Sequence, residues 1–262
     1  MKKIFLFFSL MTTVLLAACQ EQDVPTLQVK KNVIFDQVKT VNYPHSDEYT
    51  TDNAQIEVRG ELSRTGIKWL DQLLLKHAYT LVGGEDSMKK DTPTKQDLVQ
   101  KFQQIHDEFV QSAKEDRVLG ASFHLTSNYL GQRNNIITFS NDIDTYTGGA
   151  HGINVTLYQN IDSHKKKILE VNDIIQQDQQ TKLKEVLWSF YTNLMQEAND
   201  DYIGMITKED FNISEQFYFN NEGINFVYPP YALRAYAYGN VVLTAYWHEI
   251  EDIINPEYNW KK

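Results

Sequence analysis

A chain of 262 residues with a formal charge of −10 has enough material for a sizeable core, and its surface as a whole repels nucleic acid and anionic headgroups. The single cysteine, Cys19, excludes an internal disulfide and a thiolate metal cluster. Among charged partners, a basic protein is favoured.

The amino terminus, MKKIFLFFSLMTTVLLAAC, places two lysines before an apolar run from Ile4 to Leu16 and ends in small residues. That layout is a secretory signal peptide. Leu16, Ala17, Ala18 and Cys19 match the lipobox of bacterial lipoproteins, in which the thiol forms a thioether to diacylglycerol before cleavage just ahead of it. The run is shorter than the roughly 20 apolar residues of a membrane-spanning helix. Residues 1–18 are therefore expected to be removed, and residues 19–32 to form a lipidated tether that anchors the protein to a membrane without inserting it. Gln20, where an aspartate would retain the protein, fits an outer-membrane location facing the periplasm, or the cell membrane surface if the envelope has no outer membrane. Cleavage takes away Lys2 and Lys3 and no acid, leaving 23 basic against 35 acidic side chains over 244 residues.

Residues 33–60 alternate apolar and polar positions through VIFDQVKTVNYP and AQIEVRG, which predicts two strands. Ile67, Leu70, Leu74 and Ala78 then follow helical spacing until Gly83 and Gly84. In a second helix Thr94 stands at the cap position and Leu98, Phe102, Ile105, Phe109 and Ala113 form one stripe. Strand patterns return at LGASFHLTSNYLG, NNIITFSNDIDTYTGG and INVTLYQNID. A third helix carries Leu183, Leu187, Tyr191 and Leu194. The last sixty residues predict a hairpin turning at Asn221, Glu222 and Gly223, a stop at Pro229 and Pro230, a buried strand NVVLTAYW, and a short helix HEIEDII ended by Pro256. Clusters of strands interrupted by a few amphipathic helices predict an α+β fold with antiparallel and mixed sheets.

Chemistry-bearing motifs are few. No two of the seven histidines (His45, His77, His106, His124, His151, His164 and His248) are three to five residues apart, so no local zinc pair exists. His106 and His124 read as packing residues on a helix and a strand. G-x-S-x-G, S-x-x-K and the phosphate-binding GxxxxGK[ST] are missing, and adjacent acids such as Asp142 and Asp144 read as solvated faces. The reading is therefore of no catalytic centre, no metal and no cofactor. Two features remain. The segment YTGGAHG brings Tyr146, Thr147, Gly148, Gly149 and His151 together between two predicted strands, either as a tight bend or as a binding loop. The second is a crowd of aromatic residues from Tyr218 to Trp247, in which Tyr228, Tyr231 and Tyr236 are candidates for an exposed recognition surface rather than core.

Taken together, FSNDIDTYTGGAHGINVTLYQNID, KKKILEVNDII and FYFNNEGINFVYPPYALRAYAYGNVVLTAYW resemble the RsiV family of extracytoplasmic proteins, whose tandem domains also occur beside the peptidoglycan deacetylase PdaC. The resemblance spans most of residues 33–254. It implies an amino-terminal domain over 33–165 and a carboxy-terminal domain over 166–262, packed as one unit without catalysis of its own. In the anti-sigma members that unit binds lysozyme, a strongly basic enzyme. This chain departs from those members in having neither their sigma-binding segment nor a transmembrane helix, and from the deacetylase in lacking its histidine-rich zinc motif. Two functions follow: a lipid-anchored envelope protein that binds lysozyme, a related cell-wall enzyme or a glycan, and an envelope hydrolase acting on peptidoglycan with His151 as acid or base.

Overall fold

Two long antiparallel strands, β1 (Lys30–Asn42) and β2 (Asn53–Arg64), open the fold. The computed structural model describes residues 27–48, 51–197 and 206–260, so the expected signal peptide and the expected lipidation site, Cys19, lie outside the described residues. Helices α1 (Lys68–Gly83) and α2 (Lys95–Glu115) carry the chain back to β3 (Gly120–Arg133), which pairs parallel to β2. A parallel neighbour requires such a crossover, and the two helices supply it. The hairpins to β4 (Ile136–Tyr146), β5 (Ile153–Asp162) and the two-residue β6 (Lys167–Ile168) complete a six-stranded sheet in sequential order. The chain then forms α3 (Val171–Ile174), α4 (Gln180–Glu197) and a three-stranded antiparallel sheet of β7 (Phe217–Phe219), β8 (Gly223–Tyr228) and β9 (Val241–Tyr246), followed by α5 (Trp247–Ile250). The architecture is α+β.

The apolar stripes of α1 and α2 explain the first layer. Leu70 and Leu74 meet Ile137, Phe139 and Ile161, while Leu98 and Phe102 meet Val58 and Leu125. Thr94 caps α2 in a reciprocal box: its hydroxyl accepts from Asp97 N at 3.2 Å, and the Asp97 carboxylate accepts from Thr94 N at 2.7 Å. Phe102 is fully buried, and a Cβ at Gly60 would stand 2.4 Å from its ring. Glycine is thus what lets the helix seat on β2.

Three segments depart from expectation. Leu27, placed by sequence in the tether, is only 8% exposed and packs among Leu70, Leu74 and Ile161, so the fold begins ahead of residue 33. The terminal helix stops after one turn, because the chain leaves it to pair Ile254 with Ile175, with Gln176 N donating to Ile253 O and Asn255 N to Ile174 O. Pro256 then opens a 3-10 turn, Pro256–Tyr258, instead of closing a helix.

His77 lies on α1 between Leu74 and Ala78, and its Nε2 is buried without a hydrogen-bond partner. Burial penalises the imidazolium and holds the pKa down to about 4 from an ordinary 6.5. The folded state therefore prefers the neutral ring. Its contribution is complete above pH 6.5, falls as pH drops toward 4, and amounts to about 3 kcal/mol at most. Urea unfolding at pH 7 and pH 4.5 should show a smaller acid loss for His77→Phe than for the wild type. In the same assay at pH 7, Gly60→Ala should lower stability by about 1–3 kcal/mol by overpacking against Phe102.

Candidate functional site

The YTGGAHG segment is the connection between β4 and β5. Tyr146 ends β4 opposite Ser122, and Thr147 is exposed at the start of the bend. Gly148 has φ +88°, and a Cβ there would lie 3.1 Å from Val118 Cβ and 3.3 Å from Gly120 O. Both the left-handed backbone and the close approach call for glycine. A Cβ at Gly149 would meet nothing within 4 Å, so that position carries no such constraint. The glycine pair is thus half structural.

His151 does something different. Its ring stacks on Tyr236 with centroids 4.4 Å apart and planes 23° apart, and Tyr236 in turn lies 5.6 Å from Tyr231. The Tyr236 hydroxyl donates to Gly152 O at 2.9 Å, tying the 3-10 turn Tyr236–Tyr238 to the start of β5. Two segments separated by eighty residues, each singled out by its own composition, form one ladder of rings. Tyr231 is its outer rung. It is 69% exposed and adopts φ +69°, an uncommon backbone state for a tyrosine, held by its amide donating to Arg234 O at 2.9 Å. Beside it the Arg234 guanidinium lies 3.7 Å from the centre of the exposed Tyr238 ring.

Tyr228 does not belong to this surface. It is 5% exposed, packs against Phe211, donates its hydroxyl to Asn212 O at 3.0 Å, and burial raises its phenol pKa. The cause lies in topology. β8 is the middle strand of its sheet and every residue in it is buried. Proline ends that strand at Tyr228, and the tyrosines beyond Pro229 and Pro230 are the ones that reach solvent.

His151 Nδ1 lies 2.9 Å from Gly152 O, so Nδ1 donates to the carbonyl and a neutral ring leaves Nε2 as an acceptor. The orienting group is a carbonyl, not a carboxylate. The site therefore presents flat aromatic faces, one acceptor nitrogen and a guanidinium. Among the described residues no group of three or more His, Cys, Asp or Glu could hold a metal ion, and no helix is long and apolar enough to cross a membrane. Sequence reading passed over Arg234 and left Tyr238 in the aromatic crowd without choosing it as a surface candidate, although the bracket from Pro230 to Gly239 around YALRAYAY marks a loop that displays aromatics. It also passed over a concavity of about 400 Å³, where Arg133 lies 4.4 Å over the Trp260 ring and donates to Asn221 at 2.9 Å. Tyr236→Phe should cost about 1 kcal/mol in urea unfolding through loss of the Gly152 bond. Equal stability would mean that the bond does not form in solution.

Comparison with curated proteins gives no match. A family model described as a protein of unknown function, DUF3298, matches residues 172–245. Among solved structures, a DUF3298 family member from Bacteroides fragilis aligns with TM-score 0.63 and 19% identity, over 88% of this chain and 95% of that one. A DUF3298 family protein from Pseudomonas aeruginosa aligns with TM-score 0.64 and 15% identity, over 89% and 96%. At these identities the likeness is one of fold, and it fits the RsiV-like resemblance at a coarse level. Residues 172–245 thus match the DUF3298 model, within a fold that most of the chain shares with these two structures.

Proposed function

We propose that this protein is a cell-envelope lipoprotein, anchored through Cys19, that binds a basic protein of the lysozyme type with the His151–Tyr236–Tyr231 ladder. The ladder carries the reading: a strongly exposed tyrosine, held in an uncommon backbone state, extends a stack built from two distant segments. Tyrosine faces attract guanidinium and ammonium groups, and Arg234 over Tyr238 is an intramolecular example on the same loop. The formal charge of −10 favours encounter with a basic partner. The resemblance to the RsiV family points to the same partner class.

Hydrolysis with His151 is the weaker reading. The Nδ1 bond to Gly152 O leaves Nε2 able to accept a proton, but no carboxylate contacts the ring among the described residues to stabilise an imidazolium. Calorimetry with lysozyme at low salt should show binding, weakened about tenfold or more by Tyr231→Ala, as for a residue at the centre of an interface. The thermal midpoint of that variant should stay near wild type because the ring is exposed. Absence of binding at low salt removes lysozyme, and binding of peptidoglycan fragments in its place would make the partner a glycan. A peptidoglycan-cleaving activity lost in His151→Ala with unchanged melting would establish the hydrolase.

A further inference from the structure

The strand directions sort the charges of the six-stranded sheet. β1 starts, β2 and β3 end, β4 starts and β5 ends at one edge of the sheet, with β6 beside them. Lys30 stands opposite Arg64 there, Lys68 opens α1, and Lys165, Lys166 and Lys167 form the turn into β6. Lys166 Nζ sits 6.0 Å from the centre of the Trp69 ring, which joins the lysine turn to the start of α1. Of the acids at this end, Asp173, Glu257 and Glu61 are engaged by Lys167, Lys165 and Lys31, Asp71 and Asp162 accept from backbone amides, and Glu170 is exposed. Lys30, Arg64, Lys68 and Lys166 are exposed and enter no ion pair among the described residues. In an acidic chain, this end is basic.

It is also the end nearest the anchor. Leu27 packs in one cluster with Trp69 and Ile168, and eight residue steps separate it from Cys19, a reach of no more than ~30 Å. The His151 ladder lies at the opposite edge, nine residue steps along β5 from Ile153 to Asp162, or about 30 Å away. The tether limits distance without fixing orientation, and charge supplies the orientation. At physiological salt the screening length is about 8 Å, so a bilayer responds to the patch beside it more than to the net charge of the molecule.

We propose that the basic edge formed by Lys30, Arg64, Lys68 and Lys166 rests against anionic phospholipid headgroups, holding the His151–Tyr236–Tyr231 ladder away from the membrane. This rests on lipidation of Cys19. The test uses the natively processed, full-length protein on vesicles of phosphatidylcholine, with or without about one-third phosphatidylglycerol, and a membrane-impermeant amine reagent read by mass spectrometry. Labelling of Lys30, Lys68 and Lys166 should fall about threefold on the anionic vesicles and return in about 1 M NaCl, where screening acts within ~3 Å. Lys39 and Lys114, toward the other edge, should label equally on both. The double variant Lys68→Glu with Lys166→Glu should remain on the vesicles through its lipid and lose the protection. A lipidated protein labelled identically on both vesicles, or protected at Lys39 and Lys114 instead, overturns the orientation and leaves the anchor standing. An intact mass without acyl groups on Cys19 removes the anchor and the orientation together.

Discussion

Strand β5 is the element on which both halves of the molecule depend, because its two faces are committed to different partners. Ile161 faces the helical layer, packing with Leu70, Leu74 and Phe139. On the other parity, Tyr158, Asn160 and Asp162 each meet the carboxy-terminal sheet and the segment after it: the Tyr158 ring lies tilted 4.9 Å from that of Tyr218, Asn160 Nδ2 donates to Phe217 O at 2.7 Å, and Asp162 accepts from the Tyr258 hydroxyl at 3.1 Å. β6 covers only the last two residues of the strand, and the Gln216 side chain accepts from the Tyr158 amide beyond it. Side chains close the edge where a ladder strand stops, so buried backbone groups do not go unmet.

Asp162 concentrates this dependence. It is almost fully buried, and burial by itself would favour the neutral acid. The Lys165 amide, the Asn135 side chain, the Tyr258 hydroxyl and the His164 amide outweigh that penalty and lower the pKa. The same carboxylate thereby shapes the lysine turn and fastens the carboxy-terminal segment. The orientation of basic side chains at that edge and the seam between the sheets share one buried charge.

Most of the elements were legible in the sequence because local patterns and packing agree there. The stripe of α2, its Thr94 cap, the strand runs of β4 and β5 with the turn residues between them, and the stop at Pro229 all express local sequence preferences. What escaped depends on contacts distant in sequence. Leu27 reads as tether until the floor formed by Leu70 and Ile161 is in place, and HEIEDII reads as helix until Ile175 offers Ile254 a strand partner. Tyr228 reads like Tyr231 because alternation cannot report that β8 is a middle strand. The candidate site was legible as two separate oddities, YTGGAHG and the tyrosine crowd. Their union at a 4.4 Å stack was not.

That union changes what each part can do. A histidine on a glycine-rich bend is mobile unless something fixes it, and here Gly152 O accepts a hydrogen bond from its Nδ1 while Tyr236 covers one face. The same carbonyl accepts from the Tyr236 hydroxyl, so one oxygen fixes both rings. Tyr236 is itself placed by the loop that follows β8, and β8 is placed by the seam on β5. The ladder is thus ordered by the packing of the two units, with most of its conformational cost met at folding rather than at binding. Its outer rung, Tyr231, extends a preformed His151–Tyr236 pair, and the proposed binding role draws on that preorganisation.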